Sequence, residues 1–207
     1  MAGEHETAPL PRGGLGASCV HLCCDMQRMF LEDTDWHTPW MPRVLPMAVR
    51  LARAHPARTI FTRFIPARRP GEGHGTWQTY YRRWESMTIE RLGEEMVELV
   101  PELVALVPPA EVIDKVVYSP WFDGMLHRRL QARCVDTVVV SGSETDVCVL
   151  ATVLGAVDHG YRVVVATDAI CSSADETHDA SIRLYHSRYG QQVETATVGQ
   201  ILANWVG

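Results

Sequence analysis

No apolar run in this sequence approaches the roughly 20 residues that a bilayer requires, and residues 1–16 lack the apolar core of a signal peptide. These two absences argue against a membrane partner, and the expected location is cytoplasmic. Positive charge is scarce: 19 Lys and Arg stand against 25 Asp and Glu, for a formal net charge of -6. No basic run or aromatic-basic stripe interrupts that balance, so no nucleic-acid partner is expected. The six cysteines (Cys19, Cys23, Cys24, Cys134, Cys148 and Cys171) form no Cys-x-x-Cys pair. In a reducing compartment such a scatter reads as buried free thiols and argues against a structural zinc site. Internal repeats and low-complexity segments are also missing, which excludes a solenoid.

The 207 residues that remain suit one α/β domain with a sizeable core. Residues 1–17 are rich in Gly, Pro, Glu and His with almost no large apolar side chain. They read as a flexible tail, or as an arm ordered only against a partner subunit. The domain is expected over 18–207. Its first apolar run, 18–24, ends at Asp25. An amphipathic helix is expected over 41–55, a second strand over 59–65, a weak helix over 92–107 and a third strand over 111–117. A helix follows over 123–132, then a fourth strand, a fifth over 161–167, a helix over 176–189, and a last strand and helix. Strand and helix alternate throughout, which predicts a three-layer α/β/α fold on a central, mainly parallel, Rossmann-like sheet. Residues 67–87 are the least regular part of the chain, Gly-rich and then dense in aromatics.

The chain is organised around residues 138–160. Val138 to Val140 belong to a β-branched run suited to a strand buried on both faces, and Gly142 ends it. Val147, Leu150, Ala151, Leu154 and Val157 then recur at helical spacing up to Gly160. Thr145 is placed to cap this helix, which sets Cys148 in its first turn, where free N–H groups and the helix dipole lower a thiol pKa. The residue type fits a nucleophile, and equally a small buried side chain. Asp25, at the C-terminal end of a strand, sits where open α/β sheets place ligand sites, and reads equally as a cap or turn residue. Lys115 inside an apolar strand needs a partner or a wet cleft, or else is an edge lysine that snorkels to solvent.

Asp25-Met-Gln-Arg-Met-Phe30, Asp114-Lys-Val-Val-Tyr-Ser-Pro-Trp121 and Gly142-Ser-Glu-Thr-Asp-Val-Cys148 stand in that order. Together they resemble the isochorismatase-like cysteine hydrolases, the superfamily that includes nicotinamidase and N-carbamoylsarcosine amidase. The resemblance covers nearly the whole chain from Ser18 onward. It implies an isochorismatase-like fold, a homo-oligomer (dimer or tetramer), a catalytic triad of Asp25, Lys115 and Cys148, and a cis peptide at Ser143-Glu144. The backbone N–H groups of Glu144 and Cys148 would form the oxyanion hole.

The resemblance has a gap. Nicotinamidases carry an Asp-x-His pair and a further His after the second strand that bind a metal; here the matching region reads Thr62-Arg-Phe-Ile-Pro66. No metal and no other cofactor is therefore expected, and nicotinamide is disfavoured as substrate. The expected reaction is hydrolysis of a small amide, carbamoyl or ureido compound, a non-peptide C–N bond, through a thioester. Two alternatives stay open: vinyl-ether hydrolysis of the isochorismate type, which commonly lacks a cysteine at the nucleophile position, and a non-catalytic oligomeric scaffold. The pocket wall is placed at Phe30, Trp77, Tyr81, Trp84 and Trp121, with Arg63 or Arg68 available to a substrate carboxylate; residues 77–84 read equally as an interface.

Overall fold

A computed structural model describes residues 8–206 of the chain. Six strands form one all-parallel sheet: β1 (Cys19–Cys24), β2 (Thr59–Phe64), β3 (Glu111–Lys115), β4 (Thr137–Ser143), β5 (Arg162–Cys171) and β6 (Val193–Ala196), in the order β3-β2-β1-β4-β5-β6. Alternate residues of the central strands feed opposite cores. Cys19, Cys23, Val139 and Val164 pack with helix α1 (Met41–Ala54) on one face. Val20, Leu22, Val138, Val140, Val163 and Val165 pack on the other. That period of two, with both faces covered, explains why these strands read as unbroken apolar runs.

Helix α2 (Trp77–Arg83) lies in the β2-to-β3 crossover, on the α1 side. Helices α3 (Met125–Ala132), α4 (Leu150–Asp158) and α5 (Asp175–Arg188) cover the opposite face, and α6 (Val198–Asn204) returns to the α1 side. Thr197 caps α6 in a reciprocal box with Gln200.

The strand order reverses between β1 and β4. These two run side by side, Cys24 opposite Gly142, and a parallel sheet leaves its ligand crevice at such a switch point, beyond the C-terminal strand ends. The backbones meet so closely there that a Cβ on Gly142, whose φ is 107°, would stand 2.0 Å from the Cys24 carbonyl oxygen. Only glycine fits that position.

Three expectations change. The weak helix over 92–107 is a string of short turns, Glu94–Val97 and Pro101–Val104 among them, because Pro101, Pro108 and Pro109 interrupt it. The irregular stretch 67–87 contains α2. Of the tail, residues 1–7 lie outside the described residues, while 8–17 pack on the domain: Leu10 and Leu15 are buried, Leu15 bridges to Trp205, and the Arg12 N–H donates to Glu194.

Candidate active site

Of the residues singled out by the three motifs, Asp25 and Lys115 stand at strand ends and Cys148 in the turn beyond β4. Asp25 follows β1 directly in a left-handed conformation, φ 47°, which a non-glycine residue adopts only when its surroundings fix it. Thr62 of β2 does so: its carbonyl accepts the Asp25 N–H at 3.1 Å, and its hydroxyl donates to Oδ1 at 2.6 Å. The other carboxylate oxygen, Oδ2, lies 2.7 Å from Nζ of Lys115.

Lys115 ends β3, which is the edge strand, yet only 4% of its side chain is exposed. The snorkelling alternative is thereby excluded. Its ammonium reaches three partners, Asp25, the Val117 carbonyl at 3.3 Å and Sγ of Cys148 at 3.3 Å, which matches its three N–H donors. Burial alone would lower its pKa, but the Asp25 charge and then Cys148 outweigh that and move it upward.

Cys148 is buried, and Thr145 does not cap its helix. Residues Thr145–Val149 form a wide π-type turn ahead of α4, entered through Glu144, after a Ser143–Glu144 peptide that is cis. The Thr145 hydroxyl is instead hydrogen-bonded to Nδ1 of His178 at 2.9 Å. The Ser172 hydroxyl donates to Asp146, and the Ser173 N–H donates to the Glu144 carboxyl at 3.1 Å. Residues 172–178 thus hold three successive positions of the turn that presents the thiol. Burial first, and then the Asp25 charge, push the Cys148 pKa well above its usual value; Lys115 pulls against them and loses. The expectation of a thiol lowered by a helix terminus is corrected: burial and the neighbouring Asp25 carboxylate move it upward instead.

A cavity of about 90 Å³ opens at Cys148, lined by Phe30, Trp36, Phe64, Tyr80, Tyr118, Glu144 and Val147. A cavity of this size suits a small acyl group. Of two larger clefts, of about 440 and 370 Å³, neither is bordered by Cys148 or Asp25, although Lys115 lines the second.

Of the expected wall, Phe30 lines the cavity. Trp77 and Tyr81 stand one layer back: Trp77 packs on Tyr118 and Tyr80 with ring centroids 4.9 and 5.2 Å apart, and Tyr81 lies behind it. Trp84 meets Trp36 edge-on at 6.4 Å. Trp121 belongs to the opposite face of the sheet, where its Nε1–H donates to the Thr152 carbonyl at 2.9 Å and its ring fills the space that a side chain at Gly155 would need. It is not a wall residue. Arg63 is committed to Asp114, through two bonds of 2.8 and 3.0 Å, and to Glu98 at 2.7 Å. Arg68 is exposed, 4.0 Å from Glu94. Neither borders the cavity.

Sequence reasoning missed Trp36, Phe64, Tyr80, Tyr118 and Val147. The signal for Tyr80 was present, since Trp77, Tyr80, Tyr81 and Trp84 fall at helical spacing. Trp36 and Tyr118 sit in connections where no period operates. Among the described residues no group of three His, Cys, Asp or Glu side chains is arranged to hold a metal ion, and no helix is long and apolar enough to cross a membrane.

Comparison with known proteins gives a consistent neighbourhood. Residues 19–197 match the model of the isochorismatase domain. A maleamate amidohydrolase of Pseudomonas putida is 31% identical over 119 residues, 55% of this chain and 56% of that one. A probable inactive nicotinamidase of Arabidopsis thaliana is 27% identical over 78% of this chain and 84% of its own. The chain spans about half the length of the first curated relatives it matches. In fold it is similar to a cysteine hydrolase from Pseudomonas syringae pv. phaseolicola (TM-score 0.79, 23% identity, 96% of this chain and 97% of the other). It is also similar to N-carbamoylsarcosine amidase from Thermoplasma acidophilum (TM-score 0.69, 21% identity, 87% and 96%).

Proposed function

Because the chain belongs to the isochorismatase family, we propose that it is a cysteine-dependent amidohydrolase that cleaves a small amide, carbamoyl or ureido compound through a thioester. The observation that carries this reading is a single ammonium, Lys115 Nζ, held 2.7 Å from Asp25 and 3.3 Å from Cys148, whose residue lines an aromatic cavity. A protonated thiol, a carboxylate to take its proton and a fixed positive charge to stabilise the anions are the components of nucleophilic acyl transfer.

In the proposed cycle the Cys148 sulfur attacks the amide carbon while Asp25 takes the thiol proton. The resting thiol needs this base, since its pKa is raised. The oxyanion of the tetrahedral intermediate is received by the backbone N–H groups of Glu144 and Cys148. Collapse expels the amine, which leaves with the proton held by Asp25, and a thioester remains on Cys148. Water then gives a proton to Asp25 and attacks the thioester, releasing the carboxylic acid and restoring the thiol. Lys115 stays charged throughout and keeps both anionic forms affordable in a buried site. No step calls for a metal.

The test is ammonia release from a panel of small amides, with rapid acid quench and intact mass to detect an acyl adduct on Cys148. Vinyl-ether cleavage without an adduct would replace this reading with the isochorismate-type one, and no turnover of any member together with an unreactive Cys148 would remove it.

A further inference from the structure

The cavity beside Cys148 has five aromatic walls and one ionisable one. Its polar residues are Tyr80, Tyr118, Cys148 and Glu144, whose carboxyl accepts the Ser173 N–H at 3.1 Å. No Lys, Arg or His lines it. The nearest cation, Lys115, has every donor engaged by Asp25, Val117 and Cys148. The arginines best placed in sequence to serve a substrate are turned away, Arg63 onto Asp114 and Glu98, Arg68 toward Glu94. Two carboxyl groups, Asp25 and Glu144, therefore face or adjoin the space for the acyl group, and nothing in its wall offsets a third.

We infer that the substrate is a small amide with no negative charge on its acyl group, and that Glu144 excludes carboxylate-bearing amides. This rests on the amidohydrolase reading above and goes beyond it, because relatives of similar sequence include an enzyme named for maleamate, an amide that carries a carboxylate. Desolvating a carboxylate in a small cavity without a paired cation is strongly unfavourable, and a buried like charge adds to the penalty. Aromatic faces with an acidic group accept an uncharged acyl chain, or a cationic one through cation–π contact. Burial raises the Glu144 pKa, and the hydrogen bonds from Ser173 oppose that by favouring the carboxylate.

Two measurements test the charge rule independently. The first compares alkylation of Cys148 by iodoacetamide and by iodoacetate, reagents that differ by one negative charge, with peptide mapping to separate Cys148 from the other cysteines and N-acetylcysteinamide as a neutral reference thiol. The expected ratio of iodoacetamide to iodoacetate rates at Cys148 is at least ~10 times that of the reference, on the order of 1.4 kcal/mol. Glu144→Gln, which keeps the backbone N–H, narrows the ratio several-fold. A ratio at or below the reference overturns the inference.

The second compares kcat/KM for butyramide, its anionic analogue succinamate and its cationic analogue 3-aminopropionamide. Succinamate is expected to be the poorest by ~10-fold or more, with Glu144→Gln raising its relative value. Preference for succinamate overturns the charge rule and leaves the amidase reading standing. Alkylation with the expected ratio, but no turnover of any amide, removes the amidase reading and leaves the electrostatic assignment of the site in place.

Discussion

Two of the buried polar clusters built on neighbouring strands of the sheet can be compared, and only one of them borders a cavity. In the middle of the sheet, His21 of β1 is hydrogen-bonded through Nε2 to the Ser141 hydroxyl at 2.7 Å and through Nδ1 to the Thr59 hydroxyl at 3.3 Å. At the strand ends, Asp25, Lys115 and Cys148 meet around one ammonium. A serine beside a histidine is, by residue type, as good a nucleophile-base pair as a cysteine beside an aspartate. Yet His21, Thr59 and Ser141 are sealed, and none of them lines the cavity at Cys148. Burial pushes the His21 pKa down to about 3, so the ring is neutral and satisfied. What separates the clusters is position along the strand. Four residues further on, the sheet ends at its switch point and the same strands open onto a cavity.

The contrast breaks most sharply at Cys148. Cys148→Ala should fold and lose amide turnover by on the order of 10³-fold or more, whereas Ser141→Ala should leave turnover within a few-fold. Ser141→Ala should instead lose about 1–3 kcal/mol of stability in urea titration, since it orphans one nitrogen of a buried ring. Loss of turnover in Ser141→Ala without loss of stability would erase the distinction.

Lys115→Met comes next. It leaves Asp25 as a buried charge without its partner and should lower stability by about 3–5 kcal/mol. Turnover should fall steeply, and Cys148 should alkylate more slowly near pH 7, because Lys115 is what pulls the thiol pKa down. Asp25→Asn combined with Lys115→Met should regain stability without regaining turnover. An unchanged alkylation profile in Lys115→Met would separate the ammonium from the thiol's chemistry.

His21 gives a smaller, graded effect. Its folded pKa, about 3, lies below the ordinary 6.5, so below pH 6.5 the unfolded chain binds a proton that the folded one refuses. Stability therefore falls with acid by about 1.4 kcal/mol per pH unit from this group until pH nears 3. Urea midpoints between pH 7 and 4.5 should show that slope, and His21→Gln should flatten it. The smallest expected effect is on chelation: dialysis against EDTA should leave activity within error, and loss of activity restored by zinc or manganese would contradict the metal-free cycle.

Much of this was legible in the residues because the strands announce themselves. Buried parallel strands require unbroken β-branched runs, so Val138 to Val140 and Val163 to Val165 declare the sheet, and the residue after each run is a site candidate by topology alone. Asp25 was found in this way, Lys115 as a charge inside an apolar strand, and Cys148 as a thiol in the first turn after one. The cavity wall was not, because Trp36 and Tyr118 come from connections whose course is set by tertiary packing, without a repeating pattern to read. Trp121 misled for the same reason: an aromatic next to a motif residue was assigned to the cavity, when the small Gly155 had made room for it on the opposite face. The sign of the Cys148 pKa was likewise invisible, since local sequence shows a helix start but not the carboxylate and the depth of burial that oppose it.

Lys115 is the only lysine in the 207 residues, and the other 18 basic side chains are arginines. The ε-amino chemistry of the whole chain is thus gathered at one enclosed point, where all three of its hydrogens are already spoken for. Amine-directed reagents applied to the folded protein have no other ε-amino group to meet, so the extent of labelling at Lys115 becomes a clock for how often the Asp25–Lys115 pair opens. A ¹³C-methyl group introduced there by reductive methylation would give the one ε-amino resonance beside that of the α-amino group, reporting from beside the sulfur whether an occupant has arrived.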